Sequence, residues 1–435
     1  MMNDNRMLKL IIRKPTIQSE LLILWFMELL ALTVARFILS WLGFFEGTVR
    51  TVVLWGIAAI PILLFLLHIR QLDQKRYTPF VLLFLFIALA MIISVIANPA
   101  LGEFYSRSSY GLDRVIRPDS ALFAFLFFSL FDNPSELRKN IQICAYIDFI
   151  YLVIIDLIPA LTRGYWIDIG PSGQEIHFAY NLSFGYSMAF PTIVFLYFSI
   201  KERKLIHIVL SLVGMFLIIT QGNRGSLLLP VIFIGMMVIS GILDSRDMGR
   251  KMLKIIGVIL AIVIVAAAGE SILDWALSTL TQRGVSSRTI QSLLSGSFTN
   301  DNGRNLIWLT VIEAIRNGGV FGYGVLGDRP FVFPIHYVGY SHNLFLELIC
   351  SLGVIGVVIC IYIVMDAFRM LFFCKDTEWR ELYIILFSVS CQLLLSMSFW
   401  YVWEFWAAAA IAYQYRKLNG RRGYIKYSDV KGILN

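Results

Sequence analysis

The sequence predicts an all-α, polytopic membrane protein, and three observations carry that prediction. Of the 435 residues, 58% are hydrophobic and only 15% are charged, whereas a soluble chain is nearer half apolar and a quarter charged. Mean hydropathy is +0.73. Apolar stretches of helical length recur along the whole chain, and twelve helices of ~20 residues would occupy roughly 55% of it. A water-soluble enzyme, a disordered chain and a disulfide-stapled secreted domain are excluded on these grounds.

The spans lie near residues 20–43, 51–69, 79–98, 119–132, 141–160, 178–200, 205–221, 225–243, 255–270, 343–366, 382–400 and 404–416. The first is too long and too poorly flanked for a cleaved signal peptide, so it is expected to remain as an anchor. The fourth and the last are the shortest. Three connecting segments are substantial: 99–118, 161–177 and 271–342. The last is long enough for a small helical subdomain, so the chain divides into residues 1–270, 271–342 and 343–435. Within the long loop, 304–317 (RNLIWLTVIEAIRN) reads as an amphipathic helix that Asp301 or Asn302 can cap and Gly318–Gly319 ends. The Gly-rich stretch FGYGVLGD that follows reads as a loop.

Basic residues fix the expected orientation. With the N-terminus inside, 25 of the 37 Lys and Arg fall in inner segments and 11 in outer ones, with Arg36 inside the first span. All twelve lysines then lie inside, and the outer basic residues are all arginine: 50, 107, 114, 117, 163, 224, 283, 288, 304, 316 and 329. Arginine holds phosphate with a planar, permanently charged fork, so an arginine-only outer surface points to an anionic, phosphate-bearing ligand. The net charge of +8 needs no nucleic acid, because no basic stripe alternates with aromatics. The five cysteines, at 144, 350, 360, 374 and 391, form no CxxC pair and imply no disulfide.

No cluster has metal-ligand spacing, and there is no P-loop or GxSxG. The inner loops are too short for a nucleotide site, so an enzyme here needs an already activated substrate. QGNRGSLLLP places Arg224 at the outer mouth of a helix hairpin, within reach of a headgroup phosphate. Arg36 sits roughly 10 Å below the outer boundary and should face a wet cavity. His342 begins the helix SHNLFLELICSLGVIGVV with Ser341 as its cap. A helix N-terminus disfavours the protonated ring, which leaves His342 able to accept a proton. His177 and His336 are the rival outer histidines. Glu347 lies ~140° round the helix from His342 and reads as structural rather than as a dyad partner.

These segments together are similar to the O-antigen polymerase and ligase superfamily. The motifs are GNRG at 222–225, then Gly303, Arg304 and Trp308, then FGYG at 321–324, then SHN-x2-LE-x5-G from Ser341 to Gly353. They cover roughly 220–355. The resemblance implies a polytopic, metal-independent glycosyltransferase of the GT-C type that needs no cofactor. Its substrates would be oligosaccharides linked to undecaprenyl pyrophosphate, used at the outer face of the cytoplasmic membrane. It implies that Arg224 and Arg304 bind pyrophosphate, with Arg288 or Arg163 as a third arginine, and that His342 is catalytic. Arg316, Trp308, His177, Glu347 and Asn343 would serve the acceptor or the structure. Arg316 to Gly327 fits the R-x10-G pattern of polymerases, whereas Arg163 does not, since Gln174 stands where the glycine would be. The expected reaction is polymerisation of a surface polysaccharide, with membrane lipids and a chain-length regulator protein as further partners. A ligase acting on lipid A-core and a transporter or flippase for an anionic lipid are the alternatives. A transporter predicts interrupted helices in matched halves, and none is visible.

Overall fold

The computed structural model describes residues 16–107, 111–169, 175–178, 180–245, 247–282, 287–296, 303–336 and 339–433. Helix makes up 79% of it. In chain order come α1 (Ile17–Trp41), α2 (Thr48–His68), α3 (Gln74–Ala97), α4 (Leu101–Tyr105), α5 (Asp113–Ile116), α6 (Phe123–Ser129), α7 (Pro134–Tyr151) and α8 (Ile158–Arg163), the last two joined by a π-helical turn at Leu152–Leu157. A short hairpin, β1 (Trp166–Ile169) and β2 (Glu175–Phe178), pairs Trp166 with Phe178. Then follow α9 (Leu182–Glu202), α10 (Leu205–Gln221), α11 (Arg224–Leu243), α12 (Met248–Gln282), α13 (Arg288–Leu294), α14 (Arg304–Asn317), α15 (Arg329–Val332), α16 (Leu344–Leu352), α17 (Val354–Phe368), α18 (Thr377–Ser390) and α19 (Trp403–Ile433).

Among the described residues, seven helical runs are long and apolar enough to cross a membrane. The chain is an all-α polytopic membrane protein. The other expected spans coincide with helices that are shorter, broken or polar at one end. The expected span at 119–132 is the instructive one. Only α6 is helical there, and seven residues rise ~10 Å against a ~30 Å hydrocarbon core. All of α6 is buried. The segment still brings the chain from one face to the other, because the Leu130 carbonyl accepts from Arg76 at the start of α3, and Asp132 pairs with the same arginine. Hydropathy reports apolar character and not whether lipid or protein supplies the neighbours.

Helix α9 is the axis of the bundle: 72% of its apolar window is buried, against 17–28% for the other six. Its own Phe195 and Tyr197 and the Phe127 and Phe128 of α6 are all fully buried. Trp403 at the head of α19 gathers Phe190 at 4.7 Å, Phe26 at 4.9 Å and Phe128 at 5.9 Å between ring centroids. Such contacts anchor helices where lipid removes the usual hydrophobic drive between them.

The helix ends sort onto two faces. One carries the ion pairs Lys201–Glu381, Arg138–Glu378, Arg380–Asp244 and Arg416–Asp366, and Ser19 at the head of α1 donates to Glu136 at the head of α7. The described lysines lie here. The opposite face carries Arg117, Arg224, Arg304 and Arg329 with α13 to α16. These are called below the lysine face and the arginine face.

Candidate active site

On the arginine face, GNRG folds as the turn from α10 into α11. Asn223 Oδ1 accepts from the Ser226 N–H at 2.8 Å, and Ser226 Oγ accepts from the Asn223 N–H at 3.3 Å. This reciprocal cap satisfies two otherwise orphaned donors. Gly225 is small because α9 passes beside it: a Cβ there would stand 2.3 Å from the Tyr186 hydroxyl oxygen. Capping and packing account for Asn223 and Gly225. Arg224 opens α11, half-buried.

The second part is built by the loop between α14 and α16. Gly318 ends α14 as expected, but the N-cap is Gly303 at φ +82°, and no side chain caps the helix. Residues 301 and 302, the expected caps, lie outside the described residues. Arg304 is the first residue of α14 and is half-buried. The FGYG stretch then docks on the end of α16. The Tyr323 N–H donates to the Cys350 carbonyl at 3.0 Å and the Gly324 N–H to that of Ser351 at 2.8 Å. The Val354 N–H returns a bond to the Val320 carbonyl at 2.9 Å. These contacts satisfy carbonyls that a helix terminus leaves without partners. They require glycine at 353, where φ is +56° and a Cβ would meet the Val320 carbonyl oxygen at 2.1 Å.

Beneath this loop lies a buried charge cluster. Arg329 is 2% exposed, and Asp328 and Glu347 are fully buried. Arg329 Nη1 donates to both Asp328 oxygens at 2.8 Å, and Nη2 donates to Glu347 Oε1 at 2.9 Å and Ser398 Oγ at 3.2 Å. The Ser341 N–H and hydroxyl both donate to Asp328 Oδ2, at 2.8 and 2.5 Å, and Ser398 donates to Glu347 at 2.6 Å. Burial opposes the charge on Arg329, but Asp328 and then Glu347 outweigh it and hold its pKa above the ordinary value. The cluster ties the loop to α16 and to the segment before α19. Ser341 therefore binds Asp328 and does not cap α16. The cap is Asn343, whose Oδ1 accepts from the Phe345 and Leu346 N–H groups at 3.0 and 3.2 Å.

Between Ser341 and Asn343, both fixed in this way, His342 takes a left-handed backbone with φ +52°, a conformation few side chains adopt. It sits two residues before α16 rather than in its first turn, and is 8% exposed. The Tyr340 ring stands 4.4 Å away and the His336 ring 5.2 Å. Among the described residues its Nδ1 has no hydrogen-bond partner. Burial first, then His336, Arg304 and Arg329, push its pKa down to about 3. The ring is neutral, as the sequence suggested, but through burial and neighbouring cations more than through the helix terminus. Arg304 acts electrostatically on the His342 ring and also on the Tyr186 hydroxyl, which Arg224 reaches too. One patch thus collects Arg224, Arg304, His342 and Tyr186, with Arg329 behind it.

The other expected residues distribute around that patch. Ser287, which caps α13, donates to the Ile219 carbonyl at 2.7 Å, so Arg288 begins α13 beside the end of α10. Trp308 packs in a small cluster with Val311, Val332 and Leu346. Arg316 is exposed in the last turn of α14, about 18 Å along the helix from Arg304 at 1.5 Å per residue, so α14 holds the two apart. Arg163 is exposed and donates to the Pro159 carbonyl at 3.0 Å. His177 stacks on Tyr165 at 4.0 Å on the exposed hairpin. Tyr186, Asp328 and Ser398 were not foreseen. The only sequence signal for them was the Asp328–Arg329–Pro330 triplet after the Gly-rich stretch.

Residues 187–361, from α9 into α17, match the model of a family described as O-antigen ligase. This segment carries the similarity to the O-antigen ligase and polymerase superfamily. No curated protein and no solved structure matches the chain. The matched segment contains Arg224, Arg304, Asp328, Arg329, His342 and Glu347, while Arg163 and His177 lie before it. The match covers 175 of the 435 residues and is to a family of surface-polysaccharide processing.

Proposed function

We propose that the chain is a glycan polymerase of the cytoplasmic membrane, with the arginine face outward and both termini in the cytoplasm. The carrying observation is the convergence of Arg224 and Arg304, through the Tyr186 hydroxyl, with a buried neutral histidine. A hydroxyl of one lipid-linked repeat unit attacks the anomeric carbon of a chain on undecaprenyl pyrophosphate. The C–O bond to pyrophosphate breaks, the lipid pyrophosphate leaves, and the anomeric configuration inverts. His342 takes the hydroxyl proton. Arg224 and Arg304 bind the pyrophosphate more tightly as its charge develops, with Arg288 as the third arginine. Pyrophosphate binding also offsets the cations that depress the His342 pKa, so the ring becomes a stronger base when substrate is present.

The family description favours a second reading, a ligase with the same donor and a lipid A-core acceptor. The test for both is purified protein given lipid-linked repeat units without nucleotide or metal, resolved on a gel with and without lipid A-core. A ladder in both lanes supports the polymerase. Transfer only when lipid A-core is present supports the ligase. Unchanged substrate in both lanes removes both readings.

A further inference from the structure

Behind the patch, between α1, α7 and the head of α19, lies a cavity of about 190 Å³. It exceeds the ~150 Å³ of an engineered cavity that admits a six-membered ring. Trp25, Tyr151, Tyr401 and Trp403 supply aromatic walls, and Glu28, Asp119 and Asp148 supply carboxyl groups. Glu28 is 4% exposed, and neither of its side-chain oxygens has a hydrogen-bond partner among the described residues. Asp119 and Arg117 are near enough to act on it, but Arg117 forks onto Asp119, with Nη2 at 2.7 Å from Oδ2. An orphaned buried carboxyl group is costly, and its cost is offset when a ligand supplies donors.

The lining selects the ligand. No lysine or arginine is among the described residues that line it, so this is not a second pyrophosphate site. Phe26, Leu29, Leu30, Leu32, Ala121 and Ile147 complete the walls, but the carboxyl groups among them would be left without partners by an acyl chain. Flat aromatic faces beside hydrogen-bond acceptors suit a sugar ring, which offers C–H groups on its face and hydroxyl donors at its edge. The cavity also adjoins the reaction patch. Tyr401 lines it and acts on Arg329. The Tyr401 ring is 6.1 Å from Tyr340, which is 4.4 Å from His342.

We propose that this cavity is a subsite for a neutral sugar ring of the acceptor glycan, held against Trp25 and Trp403 with its hydroxyls donating to Glu28. The word acceptor rests on the glycan-transfer reading; the sugar site itself does not. The probe is lipid-free repeat-unit oligosaccharide, titrated against full-length protein in nanodiscs and followed by saturation-transfer NMR. Wild type and His342→Ala bind alike, because His342 lies outside the cavity. Glu28→Leu binds about tenfold more weakly, the loss expected when a buried sugar hydroxyl is left without its acceptor. Glu28→Leu also melts no lower than wild type, since it removes an orphaned polar group, and this separates lost binding from misfolding. Glu28→Gln, which keeps an acceptor oxygen, falls between the two. Equal affinity in wild type and Glu28→Leu, or no binding by wild type, overturns the subsite. Normal chain growth with unchanged acceptor KM in Glu28→Leu overturns the subsite and leaves the transfer reading intact. Saturable sugar binding that needs Glu28, in a wild type that extends no chains, keeps the subsite and removes the transfer reading.

Discussion

His342 poses a question of magnitude. A ring whose pKa lies near 3 is unprotonated at every physiological pH, but it is a poor base for a sugar hydroxyl, since catalysis favours a pKa near the working pH. Bound pyrophosphate would cancel the share of the depression that Arg304 and Arg329 cause and so raise the pKa, while the larger share, which burial causes, remains. This gives a signed prediction. The profile of kcat/KM reports the free enzyme and should show no acid limb from His342 between pH 5 and 8, the range in which an unperturbed histidine changes charge. The profile of kcat reports the complex, and the rate should fall as pH drops through the raised pKa. His342→Gln should lose about 10²–10⁴ in kcat and the acid limb with it; a His342→Gln enzyme that keeps the limb would rule the residue out as base. Arg224 carries a separate prediction. Lys keeps the charge without the fork, so Arg224→Lys should lose much of the activity, while Arg224→Ala should lose about 10²–10³ with normal membrane insertion. Chain growth near wild type in Arg224→Ala would move the donor site elsewhere. Arg224, Arg304 and His342 were visible in the sequence because each stands in a short motif at a helix start. Asp328 and Ser398 were not, because nothing in a loop sequence says which of its polar groups will be buried, and Ser398 meets Glu347 across 51 residues.

The loop at 318–328 and helix α16 behave as one element. Two backbone bonds join the FGYG stretch to the end of α16 and a third joins Val320 to Val354 at the start of α17, and the Asp328–Arg329–Glu347 cluster locks the loop's other end. Positioning of His342 is a consequence, since its neighbours Ser341 and Asn343 are each fixed by one half of this unit. Gly353→Ala forces a side chain into a left-handed backbone that meets the Val320 carbonyl. It should cost at least about 1–3 kcal/mol, seen as a lower melting temperature together with lower turnover. An unchanged melting temperature with unchanged turnover would show that the docking is dispensable. The sequence predicted a single span over 343–366, and the structure divides it at Gly353. An apolar helix broken by glycine and an unbroken one have the same hydropathy. The break is set by a partner segment thirty residues earlier.

The two faces of the molecule are held by different chemistry. Ion pairs between helix ends bind the lysine face, while capping turns, backbone docking, the Arg117–Asp119 pair and the buried Asp328–Arg329–Glu347 cluster hold the arginine face. Orientation can be tested directly. In a background without native cysteines, an impermeant thiol reagent applied to intact cells should label Ser295→Cys on the arginine face and not Ser245→Cys on the lysine face. Labelling confined to position 245 would invert the molecule and with it the proposed outward site. Much of the architecture was legible because composition and span length are properties of single segments. The burial of α6, the hairpin at 166–178 and the aromatic cavity behind Trp403 depend on which segments become neighbours, and no local pattern encodes that.

Gly322 and Gly353 are each other's steric limit. A Cβ on Gly322 would lie 2.7 Å from the Gly353 nitrogen, and one on Gly353 would lie 2.6 Å from the Gly322 nitrogen. Each is required on its own account, because the atom its Cβ would meet is a backbone nitrogen that any residue at the other position would keep. Descendants of this chain would retain both glycines as long as the two segments stay docked, while the residues between them vary in length and composition provided that Asp328, Ser341 and Asn343 still meet their partners. The inheritable unit here is therefore a pair of contacts and not a stretch of sequence, and two lineages could carry the same site with little else in common along this loop.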